Sequence, residues 1–238
     1  LGKPIPAAEL AEALDLQPGS GDAGEVVEIP VRIDGDYQVT STDIHLRFDP
    51  ELIESISVKK PEDADGMQLH TNTMSDTMRI AMAGSQPLDL SKPVLTLQLH
   101  LKEDVRGQVR GSVDFLTFRV NDVDLTSKVT SVEVDIRGTP TTYSLAQNYP
   151  NPFNPTTNIR YQLPENSKVT LTVYNLRGER VTTLVNSVQP AGYYEIRWDG
   201  KNQFGQSIAS GMYFYRINAE SRDSKKSMSQ VKKMMFIK

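Results

Sequence analysis

Apolar residues recur at every second position along most of this chain, and that period constrains the fold more than any other feature. Val27, Ile29, Val31 and Ile33 alternate with Glu28, Pro30 and Arg32, and Ile44, Leu46 and Phe48 alternate with Asp43, His45 and Arg47. Met78, Ile80 and Met82 follow the same rule, as do Leu95, Leu97, Leu99 and Leu101, and then Thr130, Val132, Val134 and Ile136. Successive side chains of a strand point to opposite faces, so each run predicts a strand with one buried and one wet face, the mark of antiparallel sheets. Several such strands between turn signals predict an all-β chain built as a β-sandwich. Pro30 cannot donate to a ladder, so its strand is expected at a sheet edge. The one helical signal is Ala7 to Leu16, with Ala7, Leu10, Ala11 and Leu14 on one side, closed by Pro18, Gly19 and Gly21.

The 238 residues are enough for two domains. Cutting at Gly138–Thr142 separates two unlike halves. Residues 1–138 carry 13 Lys+Arg against 24 Asp+Glu, a net charge of −11, and residues 139–238 carry 13 against 6, a net of +7. Only 4 of the 17 aromatic residues (Tyr37, Phe48, Phe115 and Phe118) precede the cut. We therefore expect an N-terminal extension over 1–21, a first sandwich over 22–138, a linker at 139–142 and a second sandwich over 143–238. No Cys is present, which removes disulfides, thiolate metal sites and thiol catalysis. No apolar run approaches the ~18 residues of a membrane-spanning helix. The chain begins at Leu1 and is read as a mature or excised piece of a larger precursor.

Within the acidic half, Ala23-Gly24-Glu25-Val26-Val27-Glu28-Ile29-Pro30-Val31, then Arg47-Phe48-Asp49-Pro50-Glu51-Leu52-Ile53, and later Val94-Leu95-Thr96-Leu97 leading to Val113-Asp114-Phe115, resemble the strand order of a cohesin domain over about 22–137. The resemblance implies a non-catalytic jelly-roll sandwich that binds a dockerin-type protein through one sheet face. Alternation alone places Asp43, His45, Arg47 and Arg79 on wet faces, which makes them candidate partner-binding residues or ordinary solvated strand residues.

The basic half opens with Asn148-Tyr149-Pro150-Asn151-Pro152-Phe153-Asn154-Pro155, where proline enforces extended backbone and withholds ladder donors. Strand patterns follow at Ile159/Tyr161/Leu163 and Val169/Leu171/Val173. Asn175-Leu176-Arg177-Gly178 has a hairpin turn's composition. Further strands are expected over Ala191–Trp198, closed by Asp199-Gly200, then from Ala209-Ser210-Gly211 through Tyr215, and from Val231 to Lys238. These motifs resemble the type A C-terminal sorting domain of the type IX secretion system, over about 143–238. That resemblance implies an immunoglobulin-like sandwich, export by the type IX machinery across a Gram-negative outer membrane, and removal of the domain or surface attachment. Gly192, Gly211, Lys232 and Lys233 become sorting-signal candidates, against turn geometry for the glycines and edge-strand solubility for the lysines.

Catalytic chemistry is absent from the motifs. His45, His70 and His100 are scattered without metal-ligand spacing, and neither a nucleophile elbow nor a phosphate-binding glycine loop occurs. Asp63-Ala64-Asp65-Gly66 and Asn121-Asp122-Val123-Asp124 each contain part of a calcium loop without its full register, so calcium stays open beside plain acidic turns. The second half's positive charge sits among aromatics at core spacing, which favours a packed core over a nucleic-acid surface. The functions compatible with this reading are a secreted, cell-surface scaffold binding a protein partner, a self-assembling subunit of a surface layer or filament joined head to tail, and a carbohydrate-binding accessory module.

Overall fold

The computed structural model describes residues 7–62 and 64–238. They form two compact units, Leu1–Gly138 and Thr139–Lys238. In chain order the elements of the first unit are α1 (Ala7–Ala13), β1 (Leu14–Leu16), β2 (Gly19–Asp22), β3 (Val26–Ile33), β4 (Ser41–Phe48), β5 (Ile53–Lys59), β6 (Met67–Met74), β7 (Thr77–Gly84), β8 (Leu95–Leu101), β9 (Gln108–Val120), β10 (Val123–Asp124) and β11 (Ser131–Arg137). One sheet has the order β1-β3-β8-β5. The other is seven-stranded, in the order β2-β11-β9-β4-β7-β6 with β10 paired to β9.

Between the sheets lie the inward residues of the alternating runs, with Ile29, Ile44, Leu46, Ile80, Leu97, Leu99, Phe118 and Val134 all at 0% exposure. Each such side chain contributes about 1.5–3 kcal/mol by leaving water. Three expectations need correction. The helix stops at Ala13, and Leu14–Leu16 continues as a strand on β3. Pro18, Gly19 and Gly21 do not simply break the chain, since Gly19–Asp22 is a strand paired parallel to β11. A Cβ on Gly19 or Gly21 would meet Val27 at 2.6 Å, so only glycine lets β2 lie this close to β3. Finally, β3 is not an edge strand: β8 flanks one side and β1 the other. β1 ends opposite Val31, however, one residue short of Pro30, so the missing donor costs no ladder bond to β1.

The second unit comprises β12 (Ser144–Leu145), β13 (Thr157–Leu163), β14 (Ser167–Tyr174), β15 (Arg180–Gln189), β16 (Gly192–Trp198), β17 (Gly211–Ser221) and β18 (Ser227–Phe236). It is a sandwich of β12-β13-β16 against β15-β14-β17-β18. Its core is aromatic: Phe153 meets Trp198 at 5.6 Å and Phe236 at 5.1 Å, and Trp198 meets Tyr213 at 6.4 Å. The proline-rich segment is seated by main-chain bonds, Phe153 N–H to Met235 C=O and Ile237 N–H to Phe153 C=O, both 3.0 Å.

A buried polar hub anchors that segment. Tyr215 Oη donates to Ala146 C=O and accepts from Asn148 N–H, both at 2.8 Å. The Asn148 amide donates to Thr157 Oγ1 at 2.9 Å and to Pro150 C=O at 3.1 Å. Burial pushes the Tyr215 and Tyr161 hydroxyls up to about 12. Thus Asn148 of the Asn-Tyr-Pro-Asn-Pro motif works as a structural clamp. The Asn175–Gly178 turn has Gly178 at φ +79°, the left-handed conformation glycine adopts without penalty.

Candidate protein-binding face

The register of the larger sheet of the first unit brings separated sequence segments onto one outer grid. One row runs Arg119 (β9), Asp43 (β4), Ala81 (β7), His70 (β6). The next is Thr117, His45, Arg79, Asn72, and the third is Asp114, Arg47, Thr77, Met74. All four sequence candidates therefore lie on the same face of two adjacent strands, β4 and β7. Asp43 and Arg79 are diagonal neighbours, at a spacing of roughly 7–8 Å between Cα atoms. His70, Asn72, Met74, Thr117 and Arg119 belong to the same face but lie on strands whose sequences do not alternate cleanly.

The charges on the grid fall into two kinds. At its margin, Arg47 is paired with Asp114 at 3.2 Å and Arg119 with Asp124 at 3.4 Å. These pairs are about half exposed, so they organise side chains more than they stabilise the fold. In the middle, Asp43, His45, Arg79, His70 and Asn72 have no side-chain hydrogen bond or ion pair among the described residues. Ala81 and Ala83 floor a shallow depression of about 290 Å³ there, walled by Asp43, Arg119 and Asn121 on one side and by Gln68 and His70 on the other. Met74 stands 70% exposed at the β6–β7 turn, and Leu116 is extruded by a bulge in β9.

Two other surfaces compare poorly. On the smaller sheet the outer polar side chains satisfy one another: Gln98 donates to Glu28 at 2.9 Å, and Ser57 bonds Gln98 at 3.2 Å and His100 at 3.1 Å. The wider depression at the β2 end, about 720 Å³, is lined by charges already joined in pairs. There Arg137 meets Asp22 at 2.7 Å and Arg110 meets Asp135 at 2.7 Å. The Arg137 guanidinium beside Asp22 holds its carboxyl below the usual range. The first unit also lacks a row of exposed aromatics for stacking on sugars, since Phe48, Phe115 and Phe118 are buried and Tyr37 is half-buried.

The two acidic turns have internal donors on their oxygens. Asp63 lies outside the described residues. In its loop, the Lys60 ammonium donates to the carbonyls of Ala64 at 3.2 Å and Met67 at 3.3 Å. In the β9–β10 turn, Asn121 Oδ1 accepts from Thr40 N–H, Thr40 Oγ1 and Ser41 N–H at 2.9–3.1 Å. Asp124 Oδ1 accepts from Thr126 N–H at 2.9 Å. Among the described residues no group of three or more His, Cys, Asp or Glu is placed to hold a metal ion.

In the second unit, Gly192 and Gly211 open β16 and β17 at φ +157° and +154°, and nothing lies within 4 Å of a Cβ built on Gly211. Backbone conformation rather than crowding is what Gly211 supplies. Lys232 and Lys233 lie on β18, an edge of its sheet, opposite Tyr215 and Phe214 respectively. The strand ends at Phe236, two residues before the expected end.

Comparison with known proteins follows this division. Residues 13–137 match the family model described as the cohesin domain, and residues 151–223 match that of the FlgD Ig-like domain. No curated protein matches the chain. Among solved structures, the sixth cohesin of Acetivibrio cellulolyticus scaffoldin B, in complex with a Cel5 dockerin mutant, is 16% identical over 52% of this chain and 97% of its own, with a TM-score of 0.42. The cohesin of the OlpA–Doc918 complex from Clostridium thermocellum is 14% identical over 52% of this chain and 96% of its own, with a TM-score of 0.39. Dimeric latent PorU from Porphyromonas gingivalis aligns with 99% of this chain and 21% of its own at 16% identity, with a TM-score of 0.33. At such scores membership rests on the match over residues 13–137, which covers more than half of the chain. Cohesin and Ig-like domains are non-catalytic binding modules. The chain belongs to the cohesin family, with an Ig-like domain following its cohesin domain.

Proposed function

We propose that the chain is a secreted scaffold module that docks a dockerin-type protein on the outer face of β9-β4-β7-β6. The observation that carries this reading is the centre of that face. Asp43, His45 and Arg79 spend no charge on each other or on neighbours, and small Ala81 and Ala83 leave room beside them for a partner's side chains. Unpaired charge of both signs at the middle of a flat, solvent-facing sheet suits a partner with a complementary pattern and excludes one without it. The test is affinity capture from the secreted proteins of the parent organism with the full chain, in calcium and in chelator. A dockerin-bearing polypeptide held by the unaltered chain and lost with Asp43→Lys plus Arg79→Glu supports the reading. Capture of none under either condition refutes it.

For residues 143–238 we propose the role of a type IX sorting domain that directs export and surface attachment. The run from Asn148 to Pro155, Trp198-Asp199-Gly200, Ser210-Gly211 and the lysines of β18 support this reading. Gly192, Gly211, Lys232 and Lys233 are its candidate signal residues, with Lys233 the exposed one of the two lysines. Fusion of 143–238 to a reporter in a type IX-competent bacterium tests it. Surface display is expected, with loss on Lys232→Ala plus Lys233→Ala at unchanged folding. Retention of the reporter in the periplasm by the unaltered fusion contradicts it.

A further inference from the structure

Apart from Lys233, the outer face of β15-β14-β17-β18 in the second unit is made of residues that neither proposal uses. Its register sets Arg180, Tyr174, Phe214 and Lys233 in one row and Thr183, Thr172, Arg216 and Val231 in the next. Met212 and Met235 pair beyond the first row, and the β14–β15 turn adds Leu176 and Arg177 at the same end. Apolar groups stand in water here: Leu176 is 68% exposed, Val231 56% and Met235 41%. Tyr174 and Phe214 are half-buried beside them.

Around these side chains stand Arg177, Arg180, Arg216 and Lys233, none of them in an ion pair among the described residues. No carboxylate occupies either row. Glu179, in the turn, bonds the Asn175 amide, and Glu220 lies two rows beyond Arg216, roughly 14 Å along the strand. Arg216 is aimed by its neighbour, donating to Tyr174 Oη at 2.7 Å with its guanidinium 4.9 Å from the ring centroid.

We infer that this face binds a negatively charged lipid surface. Cations and exposed aliphatic side chains together on one face, in a unit with a net charge of +7, match an interface that offers anionic headgroups above an apolar layer. An extended acidic peptide would call for a groove or an open strand edge, and this is a sheet face. A sugar would call for an open aromatic ring, and Arg216 lies over Tyr174. The inference stands on the register and charge of this unit and shares only Lys233 with the sorting proposal; vesicle binding by the purified chain is read without any secretion machinery.

The test is co-flotation of the full chain with phosphatidylcholine vesicles, with and without phosphatidylglycerol, at low and high salt. Binding is expected to the anionic vesicles only and to weaken with salt. Each cation near such a surface contributes about 1 kcal/mol, or about fivefold in partitioning, so Arg180→Gln plus Lys233→Gln should reduce binding about 25-fold. Val231→Ser plus Met235→Ser should also weaken it, while Arg32→Gln on the first unit leaves it unchanged. Unaltered Trp198 emission confirms that each second-unit variant is folded, and far-UV dichroism does so for Arg32→Gln. Failure to float with anionic vesicles at low salt overturns the inference. So does equal binding by the charge-neutralised variant. Soluble polyglutamate that displaces the chain, with no effect of the serine substitutions, assigns the face to an acidic peptide and overturns the inference as well.

Discussion

Replacing Asn121 tests how the first unit holds the start of β4, the strand that carries Asp43, His45 and Arg47. Asn121 sits at φ +51° and its side chain makes four bonds: Oδ1 accepts from Thr40 N–H (2.9 Å), Thr40 Oγ1 (3.1 Å) and Ser41 N–H (3.0 Å), and Nδ2 donates to Gln38 C=O (2.7 Å). Asn121→Ala leaves two part-buried backbone N–H groups without an acceptor, at about 1 kcal/mol each. Forcing alanine into the left-handed region costs about 1 kcal/mol more. The expected loss is about 3 kcal/mol, a fall on the order of 10 °C in the melting of a unit this size.

Asn121→Gly removes the same bonds without the backbone penalty and should lose about 2 kcal/mol. Calorimetry or far-UV dichroism follows the first unit. Trp198, the single tryptophan, lies in the second unit and serves as an internal control whose transition should not move. A loss below about 1 kcal/mol for Asn121→Ala, or a larger loss for glycine than for alanine, would refute the reasoning.

Thr42 faces the core at 4% exposure with a hydroxyl that has no partner, so Thr42→Val should stabilise the first unit by about 1 kcal/mol in urea unfolding. Tyr215→Phe removes the hydroxyl joining Ala146 and Asn148 and should destabilise the second unit by about 2 kcal/mol, read by Trp198 emission. Because its bond to Arg137 lowers the Asp22 pKa, the clasp between β2 and β11 is fully present above the unfolded value near 3.8 and is lost as pH falls through the lower folded value. A carboxyl titration by NMR should place the Asp22 midpoint below 3.8, and Arg137→Gln should bring it back up.

Period-two alternation made β3, β4, β7, β8, β11, β13 and β14 legible, because each buries one face and wets the other. It failed where local geometry breaks the period. The bulge in β9 turns both Phe115 and Phe118 inward across an extruded Leu116, and an irregularity in β5 separates the buried Ile53 and Ile56 by three positions. The edge strands β6 and β15 are largely exposed on both faces and so show little pattern. β2 was hidden by glycines that serve close packing against Val27. The candidate face was half-visible for the same reasons. Alternation shows that Asp43, His45, Arg47 and Arg79 face water, but that β4 lies beside β7, with β5 and β6 intervening in sequence, is a matter of long-range pairing. His70, Asn72 and Arg119 lie on strands whose phase the sequence obscures.

The central claim is that the β9-β4-β7-β6 face docks the partner. Its most direct test is calorimetric titration of the captured dockerin into the full chain, comparing Arg79→Glu with Glu28→Lys on the opposite sheet. A desolvated interfacial charge reversed at the centre should weaken binding by 2 kcal/mol or more, about 30-fold, while the reversal on the other face leaves it within about twofold. Binding indifferent to Arg79→Glu, or weakened equally by Glu28→Lys, would contradict the account.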